Sequence, residues 1–170
     1  MRKILITSLL FILLPLVALA IPGGDMTFKA AKSDSANQKI IDKGIQSAIE
    51  DMSFITRPIA KSKLEKTNQA SKQIVVKMSG KKLVVKHDDR APVASPADGK
   101  KFKWTREDGE VFMVTQQATD DTITQVYYAD DGQKKMTYKF SPDSSKMTLK
   151  VKVESPKLSD PLEYSIDYAK

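Results

Sequence analysis

Three polar side chains interrupt strand faces that are otherwise apolar in this sequence of 170 residues. His87 and Arg106 each follow a hydrophobic residue two positions earlier on the same face, and Gln125 is predicted to face Gln116 or Gln117 across a hairpin. Burying a polar group costs free energy unless the group is paired. These three side chains could therefore hydrogen-bond the polar head of an enclosed ligand.

Each of the three also has a structural explanation. His87 could lie at the rim of the sheet, and Arg106 could form a local ion pair with the neighbouring Glu107 and Asp108. The facing glutamines could bond to each other across the strands. His87 is the only histidine, so it cannot belong to a cluster of metal-binding histidines.

Aromatic and methionine side chains recur on the same apolar faces. They form an adaptable lining for a hydrophobic ligand, and they are also the ordinary content of a protein core. Both interpretations stay open from the sequence. Together with the polar positions, the candidate ligand-binding residues are Arg106, Gln125, His87, Trp104, Tyr127 and Tyr138.

The carboxylate clusters do not favour catalysis. They fall at predicted turns, where aspartate is favoured for its backbone hydrogen bonds: residues 88–89, 107–110, 120–121 and 130–131. General acid–base catalysis would need such groups paired across a pocket. No hydrolase elbow, zinc-protease, nucleotide-loop or EF-hand motif occurs in the sequence. The sequence therefore predicts no enzyme, no metal site and no cofactor.

The chain is basic and lacks cysteine. It has 28 lysines and arginines against 21 acidic residues, a net charge of +7. Nearly all of the basic residues are lysine, whereas arginine is the side chain suited to bidentate recognition of phosphates and bases. We therefore expect no nucleic-acid partner. The lysines form solvated strand faces or attract the protein to an anionic envelope surface.

The N-terminus has the pattern of a signal peptide. Arg2 and Lys3 precede an apolar run over residues 4–17 and an A-x-A cleavage site at residues 18–20. The run is shorter than the roughly 20 residues that a membrane-spanning helix needs. Residues 1–20 are therefore predicted to be removed, which leaves a periplasmic or secreted protein without a transmembrane span.

Two segments without strand periodicity follow. Residues 21–36 are rich in glycine, serine and alanine, and we interpret them as a flexible leader. Residues 37–71 have helical periodicity, with Asn37 as the predicted N-cap and Pro58 in the first turn of a second helix.

From residue 73 onward the hydrophobic period becomes two. Asp-Gly turns at residues 108–109 and 131–132 separate alternating segments, and residues 90–99 are predicted to form a longer loop. The pattern predicts a mainly β domain over residues 73–170. It would be an eight-stranded antiparallel up-and-down meander, preceded by one or two helices, that is either a barrel or a strongly curved sheet. The predicted strands are residues 74–78, 83–87, 101–105, 111–117, 123–129, 136–140, 147–153 and 162–168.

In outline, residues 73–170 resemble the lipocalin and fatty-acid-binding group, which has a single strand meander with helical cover. Lipocalins carry G-x-W on their first strand, whereas Phe102-Lys103-Trp104 lacks the glycine and lies on the third predicted strand. Fatty-acid binders insert two helices after strand one, whereas here the helices are predicted to come first. Residues 104–110 look like those of uncharacterised exported bacterial proteins. The resemblance implies an enclosed hydrophobic ligand.

Two functions fit these observations. The first is a periplasmic binding or carrier protein for a hydrophobic or amphipathic small molecule. The second is an envelope-associated protein-interaction or structural module without enzymatic activity. The size and lining of any internal cavity would distinguish them best.

Overall fold

The computed structural model describes residues 24–170, so the predicted signal peptide at residues 1–20 lies outside the described part of the chain. The described residues form ten strands and two helices. In chain order these are β1 Gly24–Ala30, α1 Asp34–Ala48, α2 Arg57–Thr67, β2 Gln73–Ser79, β3 Lys82–His87, β4 Val93–Pro96, β5 Asp98–Thr105, β6 Val111–Thr119, β7 Thr122–Ala129, β8 Gly132–Phe140, β9 Lys146–Glu154 and β10 Leu162–Ala169.

The strands form one antiparallel sheet that curves into a nearly closed barrel. Their order is β4-β3-β2-β1-β10-β9-β8-β7-β6-β5. β1 pairs with β10 and thereby joins the first and the last strand of the described residues. The sheet edges β4 and β5 approach each other, since the Trp104 indole donates to the Pro92 carbonyl at 3.0 Å and Ala118 N–H donates to Ala97 O at 3.4 Å. Of the two predicted arrangements, the barrel is the one observed.

The prediction of eight strands was wrong, because two short strands were missed. β1 lies inside residues 21–36, which were predicted to be a flexible leader, and β4 lies inside the predicted loop at residues 90–99. β1 offers only Met26 and Phe28 as buried hydrophobic positions, too few to reveal a period in the sequence. Pairing with β2 on one side and β10 on the other is what makes it a strand. β4 has only four residues and ends at a proline.

The two helices lie between β1 and β2. Ser33 is the N-cap of α1 and accepts a hydrogen bond from Ala36 N–H at 3.3 Å. The predicted cap, Asn37, is instead a buried residue within the helix, and its amide donates to Lys32 O at 3.2 Å. The prediction that Pro58 lies in the first turn of a second helix is confirmed.

The helices differ in how firmly they are held. α1 buries four side chains between its caps, whereas α2 buries only Leu64. α1 also packs closely against the beginning of β10, because a Cβ at Gly44 would lie 2.8 Å from the Glu163 carbonyl oxygen. No helix in residues 24–170 combines the length and the apolar content needed to cross a bilayer.

Candidate functional site

Six polar side chains form a continuous hydrogen-bonded chain across the barrel, here called the central network. Five different strands and the segment before β2 contribute to it. Its members are Ser71, His87, Tyr138, Gln125, Gln116 and Ser95.

One half of the central network is built around His87. The Ser71 hydroxyl lies 2.9 Å from His87 Nδ1, and His87 Nε2 lies 2.8 Å from the Tyr138 hydroxyl. Tyr138 in turn donates to Gln125 Oε1 at 2.9 Å. Because the tyrosine proton is used in this way, we assign the ring proton to Nε2, so that Nδ1 accepts from Ser71.

The other half is built from the two glutamines that were predicted to face each other. Gln125 Nε2 donates to Gln116 Oε1 at 2.6 Å, and Gln116 Nε2 donates to Leu83 O at 2.9 Å and to Ser95 Oγ at 3.1 Å. The Ser95 hydroxyl ends the chain by donating to Pro96 O at 2.9 Å. Each donor therefore points along the network from Ser71 towards Pro96. The polar groups of the network are paired with one another or with the backbone.

The centre of the barrel is filled by these side chains and their apolar neighbours. Tyr138, Gln116, Gln125 and Val114 are each 0% exposed. A cavity large enough for water would expose the atoms that line it, so a cavity of that size does not adjoin these side chains. Two shallow depressions among the described residues lie outside the barrel. One of about 450 Å³ lies on the outer faces of β8, β9 and β10, and one of about 320 Å³ lies at residues 154–161.

Three aromatic side chains and a lysine lie together on the inner face of the barrel, near the end of α2, and we call Trp104, Phe112, Tyr127 and Lys134 the mouth. The Tyr127 ring packs edge-on against Trp104 and Phe112, with centroid distances of 5.6 and 6.4 Å. All four residues are half-buried. The Tyr127 hydroxyl donates to Gln125 Oε1 at 3.1 Å and so connects the mouth to the central network.

Lys134 was missed as a site residue by the sequence analysis. It precedes Met136 by two positions on β8, so the alternation of the strand places it on the inner face, and this signal was available in the sequence. Its ammonium group reaches the end of α2, where it donates to Thr67 O at 3.1 Å. Burial, with smaller contributions from the positive charges of Arg90 and Arg106, lowers the pKa of Lys134 to about 8.

The central network is electrically neutral. Burial lowers the pKa of His87 to about 3, with smaller contributions from the positive charges of Arg90 and Lys134. Burial also raises the pKa of the Tyr138 and Tyr127 hydroxyls. Near neutral pH the network is therefore a set of uncharged donors and acceptors, and His87 is a weak base.

The structure brings five of the six candidate residues into these two groups and uses the sixth, Arg106, in an ion pair beside them, with its guanidinium carbon 5.4 Å from the Phe112 ring centroid. His87, Gln125 and Tyr138 belong to the central network, and Trp104 and Tyr127 to the mouth. The guanidinium of Arg106 lies instead in a turn, where it bonds both oxygens of Asp108, at 2.9 and 2.6 Å, and also Glu110. Its arrangement is the local ion pair that the sequence analysis left open.

Among residues 24–170, the His, Asp and Glu side chains form no group of three placed to bind a metal ion. Ser71 and Tyr138 flank His87 along the network; Tyr138 is fully buried and Ser71 is 5% exposed. The arrangement fixes its side chains in place, and residues 24–170 place no exposed nucleophile next to this base.

No protein-family model matches the chain, and no curated protein matches its sequence. Solved structures with the same fold do match. The fatty-acid-binding protein from Manduca sexta has 11% identity and a TM-score of 0.52, covering 88% of this chain and 100% of its own. Fatty-acid-binding protein 1 from Echinococcus granulosus has 15% identity and a TM-score of 0.51, covering 87% and 96%. A fatty-acid-binding protein from brain tissue of Drosophila melanogaster has 13% identity and a TM-score of 0.50, covering 85% of this chain and 97% of its own.

At these identities the similarity establishes the fold. The sequence analysis had set this chain apart from fatty-acid binders because its helices were predicted to precede all strands. The discovery of β1 removes that difference, since both helices follow the first strand. The chain therefore has the lipocalin-like β-barrel fold of the fatty-acid-binding proteins.

Proposed function

We propose that this protein is an exported binding or carrier protein that takes up a hydrophobic or amphipathic small molecule at the mouth of its barrel. The observation that carries the proposal is the half-buried aromatic cluster of Trp104, Phe112 and Tyr127 on the inner face of the barrel. The fold neighbours, which are fatty-acid-binding proteins by name, support the same class of function.

Access to the mouth would be controlled by α2. Besides Leu64 and the partly buried Ala60, the contacts that hold α2 and its C-cap Asn68 to the barrel are polar. Lys134 donates to Thr67 O at 3.1 Å, Tyr164 donates to Asn68 at 3.4 Å, and Lys63 forms a marginal ion pair with Asp131 at 4.0 Å. An exposed ion pair contributes only about 0–1 kcal/mol. The helix can therefore move away from the mouth at a small cost in free energy.

The central network limits how deeply a ligand can enter. An apolar chain that reached Tyr138 or Gln125 would break hydrogen bonds between fully buried groups. Each buried group left without a partner costs about 1–3 kcal/mol. The ligand is therefore expected to lie at the mouth, above the network, and not along the barrel axis.

Binding can be tested with the purified mature chain. A fluorescent fatty-acid probe should bind, and native mass spectrometry of gently purified protein should detect a co-purified hydrophobic molecule. Phe112→Ala should weaken binding of the probe, whereas Met113→Ala, which changes the exposed neighbour on the other strand face, should not. Absence of both probe binding and co-purified ligand would refute the proposal.

Export is a separate part of the proposal and rests on residues 1–20. The full-length chain, expressed in a bacterium with an outer membrane, should be recovered from the periplasm as a mature protein that begins at Ile21. An unprocessed chain in the cytoplasm would contradict export and leave ligand binding unaffected.

One observation favours the second candidate, an envelope-associated module. Lys135 on β8 lies directly opposite Lys152 on β9, on the outer face of the barrel. Lys152 is paired with Glu154 and Glu163, so the exposed Lys135 is the charge on this face that an anionic surface would attract. Binding to vesicles of anionic lipid that disappears at high salt, and is weakened by Lys135→Gln, would support this function.

A further inference from the structure

Lys134 differs from the other lysines of the barrel strands in the direction of its side chain. Its register partners are Tyr127 on β7 and Val153 on β9, and it alternates along β8 with the exposed Lys135. Because side chains alternate between the faces of a strand, Lys134 shares the inner face with Met136. A lysine on this face needs a reason, since burying an ammonium group is costly.

The ammonium group of Lys134 has no carboxylate partner. All acidic residues of the chain fall within residues 24–170, and none of them lies within 4.0 Å of it. Thr67 O accepts one of its three protons, at 3.1 Å. By contrast, the outer Lys152 is paired with both Glu154 and Glu163.

The surroundings of Lys134 add positive charge. Arg90 and Arg106 are both close enough to disfavour its protonated form. Arg106 is neutralised by Asp108 and Glu110, but Arg90 has no carboxylate within 4.0 Å in the described residues. Two cations without counter-charges, one of them desolvated, form a region that an anion would stabilise.

The closed centre of the barrel also limits the apolar part of a ligand bound at Lys134. The aromatic rings of the mouth offer flat apolar surfaces, whereas the barrel centre is closed, with Tyr138 and Gln125 0% exposed. An extended acyl chain would have to displace the central network. A short or planar apolar body would not.

We propose that Lys134 binds the anionic group of a compact amphipathic ligand, whose apolar body packs against Trp104 and Phe112. This inference rests on the proposed function and names the ligand class for the same mouth. It also distinguishes this barrel from a carrier that encloses a long chain.

The test uses three probes and isothermal titration calorimetry on the mature chain at pH 7. The probes are 2-naphthoate, its neutral methyl ester, and hexadecanoate. We expect 2-naphthoate to bind at least about tenfold more tightly than its ester, because a charged hydrogen bond outweighs a neutral contact. We also expect it to bind more tightly than hexadecanoate.

Three variants identify the residue responsible. Lys134→Met should weaken 2-naphthoate binding about tenfold or more and leave the ester unchanged, whereas Lys134→Arg should retain most of the affinity. Lys135→Met, the matched outer-face control, should behave like the original protein.

A second measurement applies even if Lys134→Met does not fold. The affinity of the unmodified protein for 2-naphthoate should fall as the pH rises from 7 to 9 and Lys134 loses its proton, and the affinity for the ester should not. Around Lys134, His87 stays neutral and Tyr127 stays protonated over this range, and arginine remains charged.

The outcomes separate the two proposals. Equal binding of 2-naphthoate and its ester, or unchanged affinity in Lys134→Met, would overturn the role of Lys134 while ligand binding itself stands. Tighter binding of hexadecanoate would overturn the compact ligand. Failure of all three probes to bind would count against the inference and the proposed function together.

Discussion

The centre and the mouth of the barrel are lined by the same inner strand faces, yet they treat polar groups in opposite ways. In the centre, Gln116, Gln125 and Tyr138 are 0% exposed, and their polar groups bond to one another, to other side chains of the network or to the backbone. At the mouth, Lys134 is half-buried and has a single carbonyl partner. A polar residue on an apolar face therefore indicates a binding site only where its partners are missing.

Charge follows the same division. The centre is uncharged near neutral pH, because burial holds His87 neutral and its tyrosine neighbours protonated. The mouth carries the positive charge of Lys134, and the charge of the exposed Arg90 acts on it from nearby. Uncharged, mutually bonded groups stabilise a fold, whereas unpaired cations lower its stability until an anion arrives.

The largest expected difference between the two regions is in stability. Tyr138→Ala should lower the free energy of unfolding by about 4 kcal/mol, because it leaves a void in a closed centre and breaks the network. Phe112→Ala, at the half-buried mouth, should cost only about 1–2 kcal/mol. Urea unfolding followed by circular dichroism measures both, and equal losses would show that the mouth is as firmly packed as the centre.

The next effect concerns the network itself. Gln125→Leu should cost about 2–3 kcal/mol, since it removes the acceptor of Tyr138 and Tyr127 and the donor to Gln116. The control is Gln117→Leu, on the exposed face of β6, which should change stability by less than about 0.5 kcal/mol. An unchanged free energy of unfolding in Gln125→Leu would mean that the hydrogen bonds do not stabilise the centre.

A third prediction is a loss of stability in acid. The folded-state pKa of His87, about 3, lies below its ordinary value of 6.5, so the unfolded chain binds the proton more readily. Stability is then lost as the pH falls from about 6.5 towards 3. Between pH 7 and pH 5 this amounts to about 2 kcal/mol.

Because His87 is the only histidine, its titration can be followed directly by NMR. A chemical shift that titrates near pH 6.5 in the folded protein would show that the ring is open to water. His87→Gln should also reduce the loss of stability between pH 7 and pH 5, which urea unfolding at the two values would measure.

Hydrogen exchange should distinguish the two helices that cover the mouth. α2 should open at a free energy about 2 kcal/mol lower than α1, because it buries only Leu64 whereas α1 buries Ile41, Ile45 and Ala48 among others. Native-state amide exchange measured by mass spectrometry tests this. Equal protection of both helices would contradict an entrance controlled by α2.

The smallest effect is expected at the loop between the helices. Phe54 is 84% exposed, so Phe54→Ser should change the free energy of unfolding by less than about 0.5 kcal/mol. A loss above about 1 kcal/mol in thermal or urea unfolding would show that this aromatic residue packs against the cover of the mouth.

Most residues of the site were predictable from the sequence. Which of them belong to the closed centre and which to the mouth was not. Alternation along β7 and β8 placed Gln125, Tyr127 and Tyr138 on the inner face, and the same signal at Lys134 was overlooked. Arg106 satisfied the same spacing but bonds to Asp108, because a turn brings the carboxylate to it. The position of a residue along a strand determines the face of the sheet on which its side chain lies. Its hydrogen-bond partners depend on the tertiary structure.

The sequence by itself determined the alternating strands from residue 73 onward, the two helices, the start of α2 at Pro58 and the faces on which the polar residues lie. These features depend on local periodicity and turn chemistry. The tertiary structure alone decided that β1 and β4 are strands, that the sheet closes, and that the centre is full while Lys134 lacks a counter-charge. Those features depend on contacts between residues far apart in the chain, for which a single sequence contains no local signal.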